Sequence, residues 1–187
     1  MKKKLVVFTG PSAVGKATIE HELFCDEKLK LRLSVSATTR KPRKGEIDGI
    51  HYNFISHKEF DEKIDNNEFI EWNEHFSNKY GTLKSEVERI SNDGDVPFIE
   101  VDVIGAKNII EDFGNDNLVS IFIAPPSIEE LRERMVARGT ENSEQIEERL
   151  SRVEKELKYK NLFQHVIIND KLKKAIKKVK RIIKRQR

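Results

Sequence analysis

An α/β fold, an open parallel sheet flanked by helices, is predicted by three observations. Short, unbroken apolar runs recur along the chain, each run is followed by a stretch of helical character, and a glycine-bearing turn separates the first run from the first helix.

Leu5 to Phe8 is bounded by lysines on one side and Gly10-Pro11 on the other, which reads as a central strand covered on both faces. Helix is expected from Gly15 onward. A second β-type run, Pro97 to Val103, precedes a helix over Ala106 to Phe113, and a third, Leu118 to Ala124, precedes Ile128 to Arg138. A fourth, Val166 to Ile168, precedes the last helix. Between the first two units lies a polar, turn-rich stretch, about 34–95, which holds two of the three tyrosines and the only tryptophan and reads as an insert built on the sheet. Ser127 to Leu157 is dense in Glu and Arg, with Arg138-Gly139-Thr140 at its middle, and predicts two helices joined by a mobile hinge. No repeat and no low-complexity linker interrupts this order.

With 187 residues the chain has room for one core plus small mobile inserts. Its 35 Lys and Arg are nearly balanced by 32 Asp and Glu, so a formal charge of +3 does not argue for a nucleic-acid protein. The lone cysteine, Cys25, excludes an internal disulfide, offers no metal-site spacing, and reads as a buried or inert thiol in a reducing cytosol. The apolar run after the N-terminal lysines stops at Thr9-Gly10-Pro11, too short for a signal peptide, and no stretch approaches a membrane span. A soluble, cytoplasmic protein is expected, with no membrane and no nucleic-acid partner.

Gly10-Pro11-Ser12-Ala13-Val14-Gly15-Lys16, between a strand and a helix, has the form of a phosphate-binding loop. Glycines let successive N–H groups turn toward phosphate oxygens, the helix N-terminus adds positive potential, and Lys16 reaches the β and γ phosphates. The residue after the lysine is Ala17 where a Ser or Thr is usual, and Thr18 follows, so the hydroxyl that would hold Mg²⁺ is left open. In the insert, Arg40 and Arg43 with Tyr52 offer guanidinium forks and a phenol suited to a phosphate, although a solvated basic loop would look the same in isolation. Asp102 lies near the end of the second core strand, where an acid can face Mg²⁺ through water, cap a helix, or do both.

Taken together, the glycine loop, Thr38-Thr39-Arg40-Lys41-Pro42-Arg43, Phe69-Ile70-Glu71-Trp72, Tyr80-Gly81-Thr82, Glu100-Val101-Asp102-Val103 with Gly105-Ala106-Lys107, Pro125-Pro126-Ser127 and Arg138-Gly139-Thr140-Glu141 resemble the guanylate kinase family in order and spacing, from about Lys4 to Lys177. The resemblance implies a P-loop nucleoside-monophosphate kinase fold: a core of 1–33, 96–126 and 158–187, a GMP-binding insert of 34–95 and a helical lid of 127–157. It implies transfer of the ATP γ-phosphate to GMP, with Mg²⁺ as cofactor and dGMP as an alternative acceptor, by a monomer or weak homo-oligomer.

Carried over residue by residue, the loop from Gly10 through Pro11, Ser12, Ala13, Val14, Gly15, Lys16, Ala17 and Thr18 would hold ATP, with Asn169 toward adenine. A turn-former before a helix explains Asn169 equally well. Ser36 and Glu71 would face guanine, helped by Gly81, Thr82 and Asp102, while Arg40, Arg43, Tyr52 and Tyr80 would hold the GMP phosphate. Thr18 and Asp102 would face the metal. Arg134, Arg138 and Arg149, with Lys16 and Arg40, would neutralise charge on the transferring group, whereas Arg132 and Arg152 are expected to pair with Glu at i, i+4 on a solvated face. The chemistry agrees with guanine, whose N1–H and N2–H₂ donors suit one carboxylate and whose O6 suits the Ser36 hydroxyl. Adenine presents the opposite pattern, and unpaired buried groups cost roughly 1 to 3 kcal/mol each. No general base is evident, and the anionic acceptor oxygen needs none.

Two other readings stand beside this one. A catalytically weak guanylate kinase-like protein-interaction module would keep the fold and bind a peptide; such modules have eroded loops, and Ala17 is the residue here that fits that pattern. A P-loop protein for another monophosphate or for nucleic acid would use the basic tail, Lys171 to Arg187, although Leu172, Ile176, Val179 and Ile183 at helical spacing predict that the tail packs on the core.

Overall fold

The computed structural model describes residues 5–185 apart from 76, 115 and 140. The N-terminal lysines, Thr140 of the expected hinge turn and the last two residues of the basic tail lie outside the described residues.

Five strands, β1 (Leu5–Thr9), β2 (Leu31–Leu33), β7 (Val96–Glu100), β8 (Leu118–Ala124) and β9 (His165–Ile168), form a sheet in the order β2-β7-β1-β8-β9, with every neighbouring pair parallel. Alternate residues of β1 serve the two faces. Val6 and Phe8 join Ile19 and Leu23 of α1 (Lys16–Phe24) and Ala175, Val179 and Ile183 of α7 (Leu172–Arg185), while Leu5 and Val7 join Val103, Ala106 and Ile109 of α4 (Val103–Phe113). Such two-sided cover explains why the strands read as continuous apolar runs. Of the stripe expected in the basic tail, Val179 and Ile183 are buried on the core and Ile176 packs against it, whereas Leu172 at the start of α7 is exposed.

The stretch between β2 and β7 builds a second sheet, in the order β4-β3-β6-β5, from β3 (Ala37–Thr38), β4 (Asn53–Phe54), β5 (Phe69–His75) and β6 (Asn78–Leu83). It has its own core of Ala37, Phe60 and Phe69 under α2 (His57–Asp65), and α3 (Lys84–Asn92) returns the chain to β7. Beyond β8, α5 (Ile128–Arg138) and α6 (Ser143–Leu157) pack on each other through Leu131, Met135, Ile146, Leu150 and Val153. Gly139, at φ 65°, ends α5 in the left-handed region, and Asn142 opens α6 with a capping box.

The structure differs from the sequence reading in three places. The second core strand stops at Glu100; Asp102 instead caps α4, its Oδ1 accepting from the Gly105 N–H at 2.7 Å, so that Val103 already belongs to the helix. Ser, Asp and Asn compete for such N–H groups, and this competition ends the strand sooner than the β-branched valines suggest. Leu31–Leu33 adds an edge strand that a mixed Leu-Arg-Leu pattern hides. Cys25 is exposed, at the C-terminal end of α1, with its sulfur 3.8 Å from His21 Nε2. Among the described residues, no helix is long and apolar enough to cross a membrane.

Candidate functional site

The loop from Gly10 to Lys16 wraps the end of β1 next to the point where the chain passes from one side of the sheet to the other, the usual ligand crevice of an open parallel sheet. Its path needs glycine. Gly10 has φ 153°, and a Cβ there would lie 2.3 Å from the backbone oxygen of Ile123. Gly15 has φ 94°, and its Cβ would meet Asn169 Nδ2 at 2.7 Å. Ala13 also takes a positive φ, 61°, at the top of the loop. Lys16 turns its ammonium back on the loop, donating to the Gly10 carbonyl at 2.7 Å and the Pro11 carbonyl at 3.3 Å.

A cleft of about 400 Å³ lies over this loop, lined by Pro11 through Thr18 together with Glu100, Arg134 and Arg138. Arg134 donates to Glu130 within α5 and to the Asn169 carbonyl at 2.9 Å. The Asn169 side chain is buried and donates to the Val14 carbonyl at 2.8 Å, so it braces the loop from behind. Arg149 reaches Ser12 Oγ at 3.2 Å and Glu141 at 3.1 Å. Arg152 pairs with Glu148 at i, i+4, as expected, but Arg132 has Ile128 and Val136 at those positions and crosses from α5 to Glu147 of α6 instead.

A second cleft, of about 380 Å³, opens between the two sheets and is lined by Ser36, Tyr52, Glu71, Asn73, Tyr80, Gly81, Glu100, Val101 and Asp102. Glu71 and Thr82 are register partners on β5 and β6, and the Thr82 hydroxyl donates to Glu71 Oε1 at 2.9 Å. Burial pushes the Glu71 carboxyl up to about 7, with the Thr82 bond pulling the other way and Asp102 adding a smaller upward push. Gly105, at the start of α4, makes room for this carboxyl: a Cβ there would lie 2.9 Å from Glu71 Oε2.

At the outer end of that cleft, Arg40 is held as a fork by Glu46, Nη1 and Nη2 each bonding a carboxylate oxygen at 2.9 Å, in a pair whose side chains are 14% and 18% exposed. The Arg43 N–H also donates to Glu46, at 2.6 Å, and together these partners hold the Glu46 carboxyl down at about 2. The Arg43 residue itself is exposed. Arg40 lies 5.5 Å from the ring centre of Tyr52, which in turn packs edge-on with Tyr80 at 6.0 Å. Burial raises the Tyr52 phenol, keeping it a hydrogen-bond donor. One basic fork and two phenols thus converge at a mouth suited to a dianion, beyond a buried carboxylate suited to paired N–H donors.

The sequence-predicted residues fall into these two places. Pro11 through Thr18, Arg134 and Arg138 line the first, with Gly10 starting the same loop and Arg149 and Asn169 bonded to it. Ser36, Tyr52, Glu71, Tyr80, Gly81 and Asp102 line the second, with Thr82 and Arg40 bonded to its members. Asp102 faces the second cleft, where Asn73 lies 3.5 Å away, while Glu100 lines both clefts. Sequence reasoning passed over Glu100, Glu46, Gly105 and Glu20. The available signal for Glu100 was its place as the acid that closes the apolar run of β7, where the strand's continuous burial ends. Glu20, on α1, has a buried Oε1 without a hydrogen-bond partner among the described residues. Burial and then the Glu100 carboxyl push its pKa upward, and Lys16 opposes them.

The family model described as "Guanylate kinase" matches residues 2–186. Among curated relatives, a guanylate kinase of Mycoplasmopsis pulmonis is 49% identical over 185 residues, covering 97% of this chain and 94% of the relative. One of Mesomycoplasma hyopneumoniae is 46% identical over 187 residues, covering 98% and 95%. Among solved structures, the crystal structure of guanylate kinase from Anaplasma phagocytophilum aligns with a TM-score of 0.74 at 30% identity, covering 99% of this chain and 87% of that one.

Proposed function

The chain belongs to the guanylate kinase family and is an ATP:GMP phosphotransferase, and on that premise we propose how its two clefts divide the work. ATP occupies the cleft over the Gly10–Lys16 loop and GMP the cleft between the sheets. The observation that carries this reading is Glu100, which lines both: the ends of the two nucleotides that must react are then brought to one place.

In the acceptor cleft, ionised Glu71 takes the guanine N1–H and N2–H₂ donors and the Ser36 hydroxyl donates to O6. AMP leaves these groups facing the wrong partners, and each buried mismatch costs roughly 1 to 3 kcal/mol. Arg40, Tyr52 and Tyr80 hold the phosphate of GMP, with Glu46 fixing the guanidinium plane. In the donor cleft, the loop N–H groups hold the phosphates, and Lys16 exchanges its carbonyl partners for phosphate oxygens. Arg134, Arg138 and Arg149 face the charge that spreads over the transferring group. The acceptor oxygen is already anionic, so alignment and charge stabilisation suffice without a general base.

The family also implies Mg²⁺, and the donor set suits such a hard cation: the Glu100 carboxylate on the loop cleft, the Thr18 hydroxyl in the first turn of α1, and the unpartnered buried oxygen of Glu20 beside Glu100. Bound there with ATP, the cation would offset charge on the phosphate oxygens. Residues 34–95 act as the acceptor-binding insert and 127–157 as a lid whose closure excludes water, so that ATP is not spent on hydrolysis.

A coupled assay of ADP release with ATP and Mg²⁺ tests the reading, comparing GMP, AMP, UMP and no acceptor, with Lys16→Ala as control. Turnover that requires GMP and is lost in the variant is expected. GMP binding without turnover would move the assignment to a protein-interaction module.

A further inference from the structure

We propose that the Glu20 carboxylate supplies, toward the nucleotide-bound divalent cation, the oxygen that Ala17 lacks. The inference rests on the Mg²⁺ reading above and concerns which residue of this chain serves that ion.

The residue following Lys16 in a phosphate-binding loop usually brings a hydroxyl to the metal, and here it brings a methyl group. Glu20 lies three residues further along α1, hence on the same face one turn on. Side chains on a helix tilt toward its N-terminus, so a long side chain at position 20 leans over the space above Ala17. The surroundings of Glu20 agree with that direction. Its carboxyl group feels Lys16, the ammonium of the loop, and neighbours Glu100, the acid that lines the loop cleft. Thr18 is turned about 100° from Ala17 around the helix, so its hydroxyl, although it lines the same cleft, does not replace the one that Ala17 lacks.

The second observation concerns the unmade bond. Glu20 Oε1 is buried and has no hydrogen-bond partner among the described residues, although its neighbour across the site is another carboxyl group. Burying a polar oxygen without a partner is costly, and pressing two acids together adds to that cost. Lys16 does not relieve it: two of its three N–H donors go to the Gly10 and Pro11 carbonyls, and none is bonded to Glu20 Oε1. A divalent cation, or a water held by one, is the chemical species that satisfies an orphaned carboxylate oxygen beside a second acid, at the spot where the phosphates of ATP arrive. Magnesium in such sites is held by one or two carboxylates together with phosphate oxygens and waters, which is the set that Glu20, Glu100 and the nucleotide would provide.

The test uses Mn²⁺ as a paramagnetic probe on the full-length chain with ADP bound, read by electron paramagnetic resonance, with ADP affinity in EDTA measured alongside by calorimetry. Wild type should bind Mn²⁺ in the ADP complex. Glu20→Gln, equal in shape but uncharged, should weaken Mn²⁺ by roughly 10- to 100-fold, the range for outer-shell partners of a metal, and leave metal-free ADP binding unchanged. Ala17→Ser introduced into Glu20→Gln should recover most of the loss by returning a hydroxyl. Glu20→Asp keeps the charge and shortens the reach, and should give a smaller loss; it serves as well if the Gln variant does not fold. Unchanged Mn²⁺ affinity in a folded Glu20 variant overturns the proposal while the Mg²⁺ reading stands. Failure of wild type to bind Mn²⁺ with ADP overturns both.

Discussion

The Thr82 hydroxyl donates to Glu71 Oε1 at 2.9 Å from the directly opposed position on the neighbouring strand. Thr82 is fully buried, so the bond is not traded with solvent, and it leaves Oε2 of the same carboxylate toward the narrow gap beside Gly105. The relationship makes Thr82 a positioning residue for guanine. Thr82→Val keeps the shape, removes the donor and frees Glu71 to turn. A hydrogen bond to a charged group contributes about 1.5–3 kcal/mol, so KM for GMP should rise roughly 10- to 100-fold with the melting temperature little changed. Equal KM values in the steady-state assay would leave Thr82 a packing residue.

Glu71 also sets a pH dependence. Its carboxyl is raised from 4.5 to about 7 in the folded protein, because burial disfavours the charge. The folded state therefore holds a proton that the unfolded chain has released. The stability contributed by this group is present below about 4.5 and is lost as pH rises through about 7. Guanine binding needs the ionised form, so the sign for GMP is the reverse: affinity should strengthen as pH rises toward 7 and then level off. Calorimetric titration of GMP between pH 5.5 and 8 should show this slope in wild type. In Glu71→Gln only the slope of the GMP phosphate itself, whose second pKa is near 6, should remain.

The Arg40–Glu46 fork predicts that charge alone does not suffice at the acceptor phosphate. Arg40→Lys preserves the charge but cannot bond both Glu46 oxygens in one plane while presenting a second edge to phosphate. With the acceptor phosphate misplaced by even about 1 Å, kcat/KM for GMP should fall roughly 100-fold. Binding of guanosine, which lacks the phosphate, should stay unchanged. A guanosine affinity that falls in parallel would point to collapse of the cleft instead.

These residues show what could and could not be read from the chain. The doubly covered strands were legible because burial on both faces leaves an apolar run, as in Leu118–Ala124, all of whose residues are buried. The glycine loop was legible because Gly10 and Gly15 stand where no side chain fits. Glu46 and Glu20 were not, since a half-buried acid acquires its meaning from a partner elsewhere in the fold: Arg40 across a loop, Glu100 at the end of β7. The same holds for Arg132, whose nearest acid is set by the packing of two helices rather than by helical spacing. At the end of β7 the β-branched valines favoured a longer strand, and the Asp102 cap overrode them.

Asn169 offers the sharpest separation of two roles. Its side chain is buried, donates to the Val14 carbonyl at 2.8 Å and packs against Gly15, while its own carbonyl accepts from Arg134. Those bonds tie the back of the loop to the end of β9 and to α5, which is a bracing task. Asn169→Ala removes the donor, leaves the Val14 carbonyl unpaired and opens space behind Gly15. A buried unpaired carbonyl costs roughly 1 to 3 kcal/mol, and in a chain of this size each kcal/mol lowers the melting temperature by about 2–4 °C. A loss of several degrees by calorimetry is therefore expected, with ATP and GTP affinities reduced in equal proportion because the loop serves the phosphates of both. A variant that keeps its melting temperature but loses its preference for ATP over GTP would instead assign Asn169 to adenine.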